Sequence, residues 1–265
     1  MSRAVVLSSG HVVRHRRWFQ RVFRPYVRRK LARAFDGVHV AGFDEVRAQL
    51  DERPLILAAN HCSWWDALLL VALDDLLDSE SYCLMDADNL RKLPFFGWLG
   101  AVPLDRSQPK QALKDLRASA ALVQRPNQVM WIFPQGRLYP PELRPMRLQS
   151  GVAMLARASE ARVLPVSFSY PFREAPQPAA VVSFGAPLDA TLSGKRLVEA
   201  LEDALAAGLD ENTAFAAGEA SGFETLIGDE RDDEAGIAAR ILAWFGRKRP
   251  ALEAGSSHLE RRQNA

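Results

Sequence analysis

Short apolar runs alternate along this chain with segments of helical periodicity, and this alternation is what most constrains its fold. The runs end at glycine, proline or polar residues, as buried strands do. Strands alternating with helices favour an α/β domain in which most strands are parallel. We therefore predict an α/β fold, with a mixed, largely parallel sheet flanked by helices. The expected strands are 37–42, 54–59, 81–85, 101–104, 128–133, 162–169 and 179–184, and the expected helices are 44–50, 63–78, 109–123, 150–159 and 195–207.

Residues 1–35 form a basic segment, with ten Arg or Lys residues and no Asp or Glu. Of the 34 basic residues in the chain, 24 therefore lie in the remainder, against 32 acidic ones. Apolar residues recur in the segment every three or four positions, which indicates one or two amphipathic helices, broken or kinked at Pro25. Aromatic residues opposite a basic face favour an anionic membrane surface as the partner of residues 11–35.

Two other interpretations of this segment stay open. The apolar stripe could simply pack against the rest of the protein, leaving the arginines solvated, or the arginines could bind nucleic acid. No nucleic-acid-binding motif accompanies them, so we expect no nucleic-acid partner.

The rest of the chain divides by composition. We expect one α/β domain over 36–207, an extension over 208–250, and a disordered tail over 251–265. Within the extension, 208–228 is interpreted as a loose connection rich in Gly and Ala, and 237–249 as a short amphipathic helix. The longest apolar run, 67–73, is far shorter than the roughly 20 residues of a membrane-spanning helix.

The start of the chain lacks the pattern of a secretory signal, and two cysteines make neither a disulfide framework nor a four-ligand zinc site. We therefore expect a protein peripheral to the cytoplasmic face of a membrane, with no metal site. The spaced acids Asp86 and Asp88 are interpreted as solvated rather than as metal ligands.

The stretch from Asn60 to Asp66 contains the strongest chemical signal, because a histidine and a carboxylate follow an apolar strand. On one continuous helix, His61 and Asp66 would lie about 140° apart and could not meet. With His61 in a turn and Asp66 in the first helical turn, the carboxylate can orient the imidazole as a general base. Alternatively, Ser63 and Asp66 simply start the helix, with Ser63 as its cap.

Three later stretches are uninformative singly. Arg106 follows a short strand six residues after Gly100, where it could bind a phosphate or pair with Asp105. The strand ending at Phe133 continues into Pro134, Gln135, Gly136 and Arg137, a tight turn beside a cation. An apolar run around Pro165 reads as an edge strand or a strand start.

In this order and spacing, the four stretches resemble the sequence blocks of the glycerolipid acyltransferase superfamily, which includes the bacterial 1-acylglycerol-3-phosphate acyltransferases. The resemblance covers about 53–207. It is complete in the first block, N-H-x-S-x-x-D, and also includes Gly100 with Arg106, the strand around Pro165, and F-G-x-P at 184–187. The third block, F-P-E-G-T-R, departs: Gln135 stands in place of Glu, Arg137 in place of Thr and Leu138 in place of Arg.

The resemblance implies transfer of a fatty acyl group from an acyl thioester to the hydroxyl of a lysophospholipid, foremost 1-acylglycerol 3-phosphate. His61 would be the base and Asp66 its orienting acid, with the donor carried on coenzyme A or acyl carrier protein and no cofactor. Amides at the Gly136 turn or the helix start would stabilise the oxyanion. The residues expected to bind substrate are Arg106, Phe133, Pro134, Gln135, Gly136 and Arg137.

Neighbours of the first block have smaller expected roles. Ser63 is expected to cap the helix, Cys62 to point away from the chemistry, and Trp64 and Trp65 to border an acyl groove or to be ordinary core. The altered third block leaves two other functions open, namely the same chemistry on a non-phosphate lipid, or a catalytically silent lipid-binding protein.

Overall fold

The computed structural model describes residues 5–7, 9–13, 15–189 and 191–228. The helix expected over 237–249 and the tail expected over 251–265 lie outside the described residues. Two short 3-10 turns, Pro94–Leu99 and Ala120–Leu122, supplement the regular elements. The helices are α1 Arg17–Ala34, α2 Phe43–Glu52, α3 Asp66–Leu77, α4 Ala87–Lys92, α5 Pro109–Ser119, α6 Gly151–Ala158 and α7 Gly194–Ala216. The strands are β1 Val5–Val6, β2 Val12–Val13, β3 Gly37–Ala41, β4 Leu55–Ala59, β5 Glu80–Asp86, β6 Ala101–Leu104, β7 Gln128–Ile132, β8 Arg162–Ser169, β9 Ala180–Phe184 and β10 Glu224–Gly228.

An eight-stranded sheet organises the domain, in the order β10-β3-β9-β8-β4-β7-β5-β6. The pairs from β8 through β4, β7 and β5 to β6 are parallel, as is β3 with β9. The pairs β8–β9 and β10–β3 are antiparallel. The expected mixed, largely parallel α/β fold is thus confirmed. β1 and β2 form a separate short antiparallel hairpin.

Helices cover both faces of this sheet. Leu55, Leu57 and Ala59 of β4 belong to the core that contains the buried residues of α1, α2 and α3. Ile56 and Ala58 belong to the other core, under α5, α6 and α7. The alternation follows from the two-residue period of a strand, and a strand buried on both faces is apolar throughout.

Helix α1 continues through Pro25 rather than breaking there. Its apolar residues divide between two surroundings. Val27 and Leu31 are buried in the core, whereas Trp18, Val22 and Tyr26 are more than half exposed. The apolar residues therefore form two sets, one packed in the core and one along an exposed line. None of the described helices is long and apolar enough to cross a membrane.

The interpretation of 208–228 as a loose connection was wrong. Helix α7 extends to Ala216, and β10 adds an antiparallel edge strand beside β3. Gly208 permits close packing, since a Cβ there would lie 3.0 Å from the Cβ of Ser167. One turn further on, the buried Asn212 donates to the carbonyl of Ser167 (3.0 Å) and accepts from Ser183 Oγ (2.7 Å). Small residues here serve helix–sheet contact, which composition alone cannot distinguish from a flexible linker.

Candidate active site

The turn after β4 carries the first sequence block. Asn60 fixes its start, because the buried side-chain amide donates to the carbonyl of Phe168 (3.0 Å) and accepts from the amide of Phe168 (2.7 Å). This pair of bonds ties the end of β4 to the end of β8. As expected, His61 follows in the turn and Asp66 is the first residue of α3.

His61 and Asp66 meet. The imidazole Nδ1 lies 2.7 Å from Asp66 Oδ2, and the carboxylate is fully buried while the imidazole is a quarter exposed. Since a carboxylate only accepts hydrogen bonds, Nδ1 carries the proton and Nε2 presents its lone pair. This tautomer is the one that a general base needs.

The Asp66 carboxylate also organises the turn around it. Oδ2 accepts from the backbone amides of Cys62 (2.8 Å) and Ser63 (3.0 Å) as well as from His61. Oδ1 accepts from the hydroxyl of Tyr170 at 2.6 Å. With these donors the buried charge is well satisfied, and the carboxylate is held on the imidazole.

Tyr170 is a site residue that the sequence analysis missed. Burial and the neighbouring Asp66 raise the pKa of its hydroxyl well above the usual value, so it stays a donor at neutral pH. One signal was available: Tyr170 directly follows β8, the parallel neighbour of β4. Carboxyl ends of adjacent parallel strands meet at one edge of a sheet, so a polar residue there lies near the turn after β4.

The expectation that Ser63 caps the helix was wrong. Helix α3 begins at Asp66 with Trp65 in the cap position, and Ser63 Oγ instead accepts from the amide of Trp65 (3.2 Å) inside the turn. The Asp66 carboxylate holds the residues before the helix in a turn, which moves the helix start past Ser63. Cys62 stays a thiol: burial and Asp66 raise its pKa, and Sγ lies 3.4 Å from the carbonyl of Phe168.

The third block folds directly against the imidazole. The ring of Phe133 stacks on His61, with 4.4 Å between ring centroids. Gln135, which departs from the superfamily pattern, is buried; its Oε1 accepts from the His61 amide (2.7 Å) and its Nε2 donates to the carbonyl of Met146 (3.1 Å). Because one contact accepts and the other donates, an amide fits here where a carboxylate would face the carbonyl oxygen.

Arg106 lies against the turn at Gly136. That glycine has a φ of 69°, and a Cβ on it would come within 2.9 Å of the Arg106 guanidinium carbon. The positive φ favours glycine, and the missing Cβ lets the flexible guanidinium end of Arg106 lie close to the backbone. Arg106 is half exposed, and its Nε lies 3.8 Å from Asp86 Oδ2. The structure therefore brings the second and third blocks together.

Arg137 points elsewhere in the same turn. Its guanidinium stacks on the ring of Tyr139 at 5.5 Å, and Arg147, which the sequence analysis did not single out, stacks on that ring at 5.8 Å. The Tyr139 amide donates to the carbonyl of His61 (2.8 Å), so this cationic pair is tied to the turn that carries the base. Leu138 is half exposed.

Three amides in the turns expected to stabilise the oxyanion are already engaged. Gly136 N donates to the carbonyl of Phe133 (2.9 Å), and the amides of Cys62 and Ser63 donate to Asp66. These bonds hold the turns in shape, so none of these three amides is available to a reacting carbonyl.

A mainly apolar cavity of about 160 Å³ contains His61, Phe133 and Gly136 in its wall. It follows α3 and β5 down to Asp74 and Ser81. Between His61 and these two residues, the cavity is lined by Leu70, Val71, Leu84 and Leu99. Burial raises the pKa of Asp74 to about 6, although Ser81 and Trp131 donate to its carboxylate at 2.6 and 2.8 Å. Trp64 and Trp65 do not line this cavity; Trp65 packs on Phe35, and Trp64 is exposed.

The spaced acids have local roles. Asp86 accepts from the amide of Asp88 (2.9 Å) and caps α4, and Asp88 pairs with Arg91. In the described part of the chain, no group of three or more His, Cys, Asp or Glu side chains is placed to hold a metal ion.

Known proteins match this same region. Residues 37–169, half of the chain, match the family described as Acyltransferase. A 1-acyl-sn-glycerol-3-phosphate acyltransferase of Saccharomyces cerevisiae is 30% identical over 126 residues, which is 45% of this chain and 40% of that protein. A protein of the same name from Pseudomonas aeruginosa is 30% identical over 133 residues, 46% of this chain and 48% of that protein.

The matched regions thus amount to less than half the length of these curated relatives. The family match runs from β3 to the end of β8 and includes His61, Asp66, Arg106 and the turn at Gly136, while Tyr170 directly follows the matched range. On the fold, the site and this match together, the chain belongs to the acyltransferase family.

Proposed function

We propose that this protein transfers a fatty acyl group from an acyl thioester to the free hydroxyl of a lysophospholipid, with 1-acylglycerol 3-phosphate as the preferred acceptor. The observation that carries the proposal is the His61–Asp66 pair, 2.7 Å apart, in the wall of an apolar cavity. The names of the two relatives support the choice of acceptor.

The chemistry follows from the tautomer. His61 Nε2 takes the proton of the acceptor hydroxyl as its oxygen attacks the thioester carbonyl. The tetrahedral intermediate then collapses, the C–S bond breaks, and the imidazolium returns the proton to the leaving thiolate. Asp66 stabilises the imidazolium in between. The acceptor itself is the nucleophile, so no acyl-enzyme forms, and the steps balance without a cofactor.

The apolar cavity provides the place for the transferred chain. It runs from His61 between α3 and β5, and most of its wall is apolar, including Leu70, Val71 and Leu84. Burying each methylene of a chain there is worth about 0.8 kcal/mol, enough to favour long-chain donors.

Arg106 provides the phosphate contact. Its guanidinium lies on Gly136, which also lines the His61 cavity, so an anion bound to it is adjacent to the base. An arginine fork binds phosphate with paired hydrogen bonds. Arg137 stacks on Tyr139 instead, and this observation favours the second candidate, the same chemistry on a lipid acceptor without a phosphate.

An exposed line of side chains along α1 provides the membrane contact. Trp18, Val22 and Tyr26, spaced by four residues, are exposed, and the ring of Trp98 packs beside Trp18 at 5.8 Å. Arginines of the same helix surround them. Exposed aromatic residues with cations bind the interface of an anionic bilayer, which would hold the protein peripherally on the cytoplasmic face near its lipid acceptor.

The test is acyl transfer by the purified full chain in mixed detergent micelles, with labelled acyl-CoA and, separately, labelled acyl carrier protein. The acceptors are 1-acylglycerol 3-phosphate, a lysophospholipid with a larger headgroup, and a monoacylglycerol without phosphate. We expect the phosphate acceptor to react fastest, and His61→Ala to lower kcat by about 10²–10⁴-fold. His11→Ala, a histidine outside the site, is the matched control.

Preferred transfer to the monoacylglycerol would establish the second candidate. Transfer that survives in His61→Ala would contradict the proposed base. No transfer from either donor to any acceptor, with lipid still bound, would make the protein a silent lipid binder.

A further inference from the structure

A second apolar groove adjoins the site and has no role in the mechanism above. It encloses about 490 Å³ along α5, β6 and the end of β7. Its walls include Leu104, Ala112, Leu113, Leu116, Ile132 and Phe133.

The groove and the His61 cavity meet at shared residues. Leu84, Met85, Asp86 and Phe133 line both. From there the cavity follows α3 on one face of the sheet, and the groove follows α5 on the other face. Two apolar spaces thus converge on Phe133, whose ring stacks on the imidazole of His61.

Charge at the groove is confined to its rim. Among the lining residues only Asp86 and Arg106 are charged, and these two lie 3.8 Å apart. Arg106 also lies on Gly136, a wall residue of the His61 cavity. A ligand that complements this arrangement has an anionic end for Arg106 and a long apolar tail for the groove.

We propose that this groove binds the acyl chain that the acceptor already carries. This inference rests on the proposed function. In a 1-acylglycerol 3-phosphate, the phosphate and the existing chain occupy the two ends of the glycerol, and the reacting hydroxyl lies between them. With the phosphate on Arg106 and the hydroxyl at His61, the existing chain enters the groove while the donor chain fills the cavity. The two chains of the product therefore lie in separate spaces.

The groove can be filled by one substitution. Ala112 is half-buried in its wall on α5. Ala112→Trp would occupy the space of several methylenes, whereas Ala112→Ser leaves the groove open and serves as the matched control. Thermal unfolding of both variants checks that the fold is kept.

The assay measures KM for the oleoyl and butyryl forms of 1-acylglycerol 3-phosphate in the same micelles. For each acceptor, the KM of the variant is divided by the KM of the unmodified protein. We expect Ala112→Trp to raise KM for the oleoyl acceptor about tenfold, the equivalent of roughly two methylenes no longer buried. KM for the butyryl acceptor and for the acyl donor should not change. An equal rise for both acceptors, or no rise for either, would show that the chain stays in the micelle and would overturn the proposal.

A binding measurement separates this inference from the proposed reaction. Calorimetric titration of His61→Ala protein with an oleyl ether of glycerol 3-phosphate needs no catalysis. We expect binding that weakens about tenfold when Ala112→Trp is added, again the loss of roughly two buried methylenes. Equal affinity for glycerol 3-phosphate, which has no chain, would contradict the groove assignment even if transfer itself is active.

Discussion

Gln135→Glu changes one atom and restores the residue of the superfamily pattern, yet this structure predicts that it destabilises the protein. Gln135 is buried between a donor and an acceptor: the His61 amide donates to it at 2.7 Å, and it donates to the Met146 carbonyl at 3.1 Å. A glutamate carboxylate would keep the first contact. At the second, it would place a charged oxygen against the carbonyl oxygen.

The size of the expected loss in the free energy of unfolding follows from the contact with the Met146 carbonyl. Leaving a buried carbonyl unpaired costs about 1–3 kcal/mol, and an uncompensated buried charge costs about 3–5 kcal/mol. We expect a loss of about 3 kcal/mol at pH 8, since the contact to the His61 amide remains. A penalty of that size raises the pKa of the new carboxyl about two units above its unfolded value of about 4.3.

The loss of stability in Gln135→Glu should increase with pH. A protonated glutamic acid can donate to Met146 as the glutamine does, so the loss vanishes below the unfolded pKa. It then grows as the pH rises toward the folded pKa. By linkage, the loss at pH 5 is about 1 kcal/mol.

Urea unfolding, followed by tryptophan fluorescence at pH 5 and pH 8, measures both values. Gln149→Glu is the matched control, because Gln149 is an exposed glutamine of the same loop whose Nε2 also donates to a carbonyl, that of Gln135, at 3.5 Å. Water can replace that bond, so this substitution should change stability little. A Gln135→Glu protein as stable as the unmodified one at pH 8, or a loss independent of pH, would refute the argument from donor and acceptor geometry.

Three further substitutions test the surroundings of the site. Tyr170→Phe removes a donor from the buried Asp66 and should lower the free energy of urea unfolding by about 2 kcal/mol; a less neutralised carboxylate should also move the acidic limb of the kcat/KM profile to higher pH. Gly136→Ala should destabilise by at least about 1 kcal/mol and raise KM for phosphate acceptors, because the methyl group meets Arg106 and the φ is positive. Relative to pH 4, Asp74→Asn should stabilise the protein at pH 7 by about 2 kcal/mol in urea unfolding, because a pKa raised to about 6 makes the native aspartate increasingly unfavourable as the pH rises. The respective argument would be contradicted by an unchanged kcat/KM profile in Tyr170→Phe, by an unchanged KM in Gly136→Ala, or by a stability difference independent of pH in Asp74→Asn.

Much of the fold could be predicted because its signals are local. The strands 101–104 and 162–169 agree residue for residue with β6 and β8, since each is an apolar run bounded by glycine, proline or polar residues. Beyond residue 207 the same reasoning failed. The Gly- and Ala-rich sequence there lacks strong periodicity, and the fit of Gly208 against Ser167 is visible only when helix and sheet are together.

Part of the site could likewise be predicted from the sequence, and part could not. The spacing of His61 and Asp66 indicated a contact across the turn, and the structure has it. The consequences of Gln135 and Arg137 could not be read from the sequence. Gln135 bonds to Met146, which lies 11 residues away, and Arg137 stacks on a tyrosine beside a second arginine.

The sequence by itself determined the α/β architecture, the strand end that carries His61, and the family, because period, turn residues and motif spacing act within a few residues of one another. Only the tertiary structure decided which groups complete the site. Tyr170 reaches Asp66 from β8, Arg106 reaches Gly136 from the end of β6, and two apolar spaces converge on Phe133. These contacts join residues far apart in the chain, and the parallel sheet brings them together by aligning the carboxyl ends of its strands.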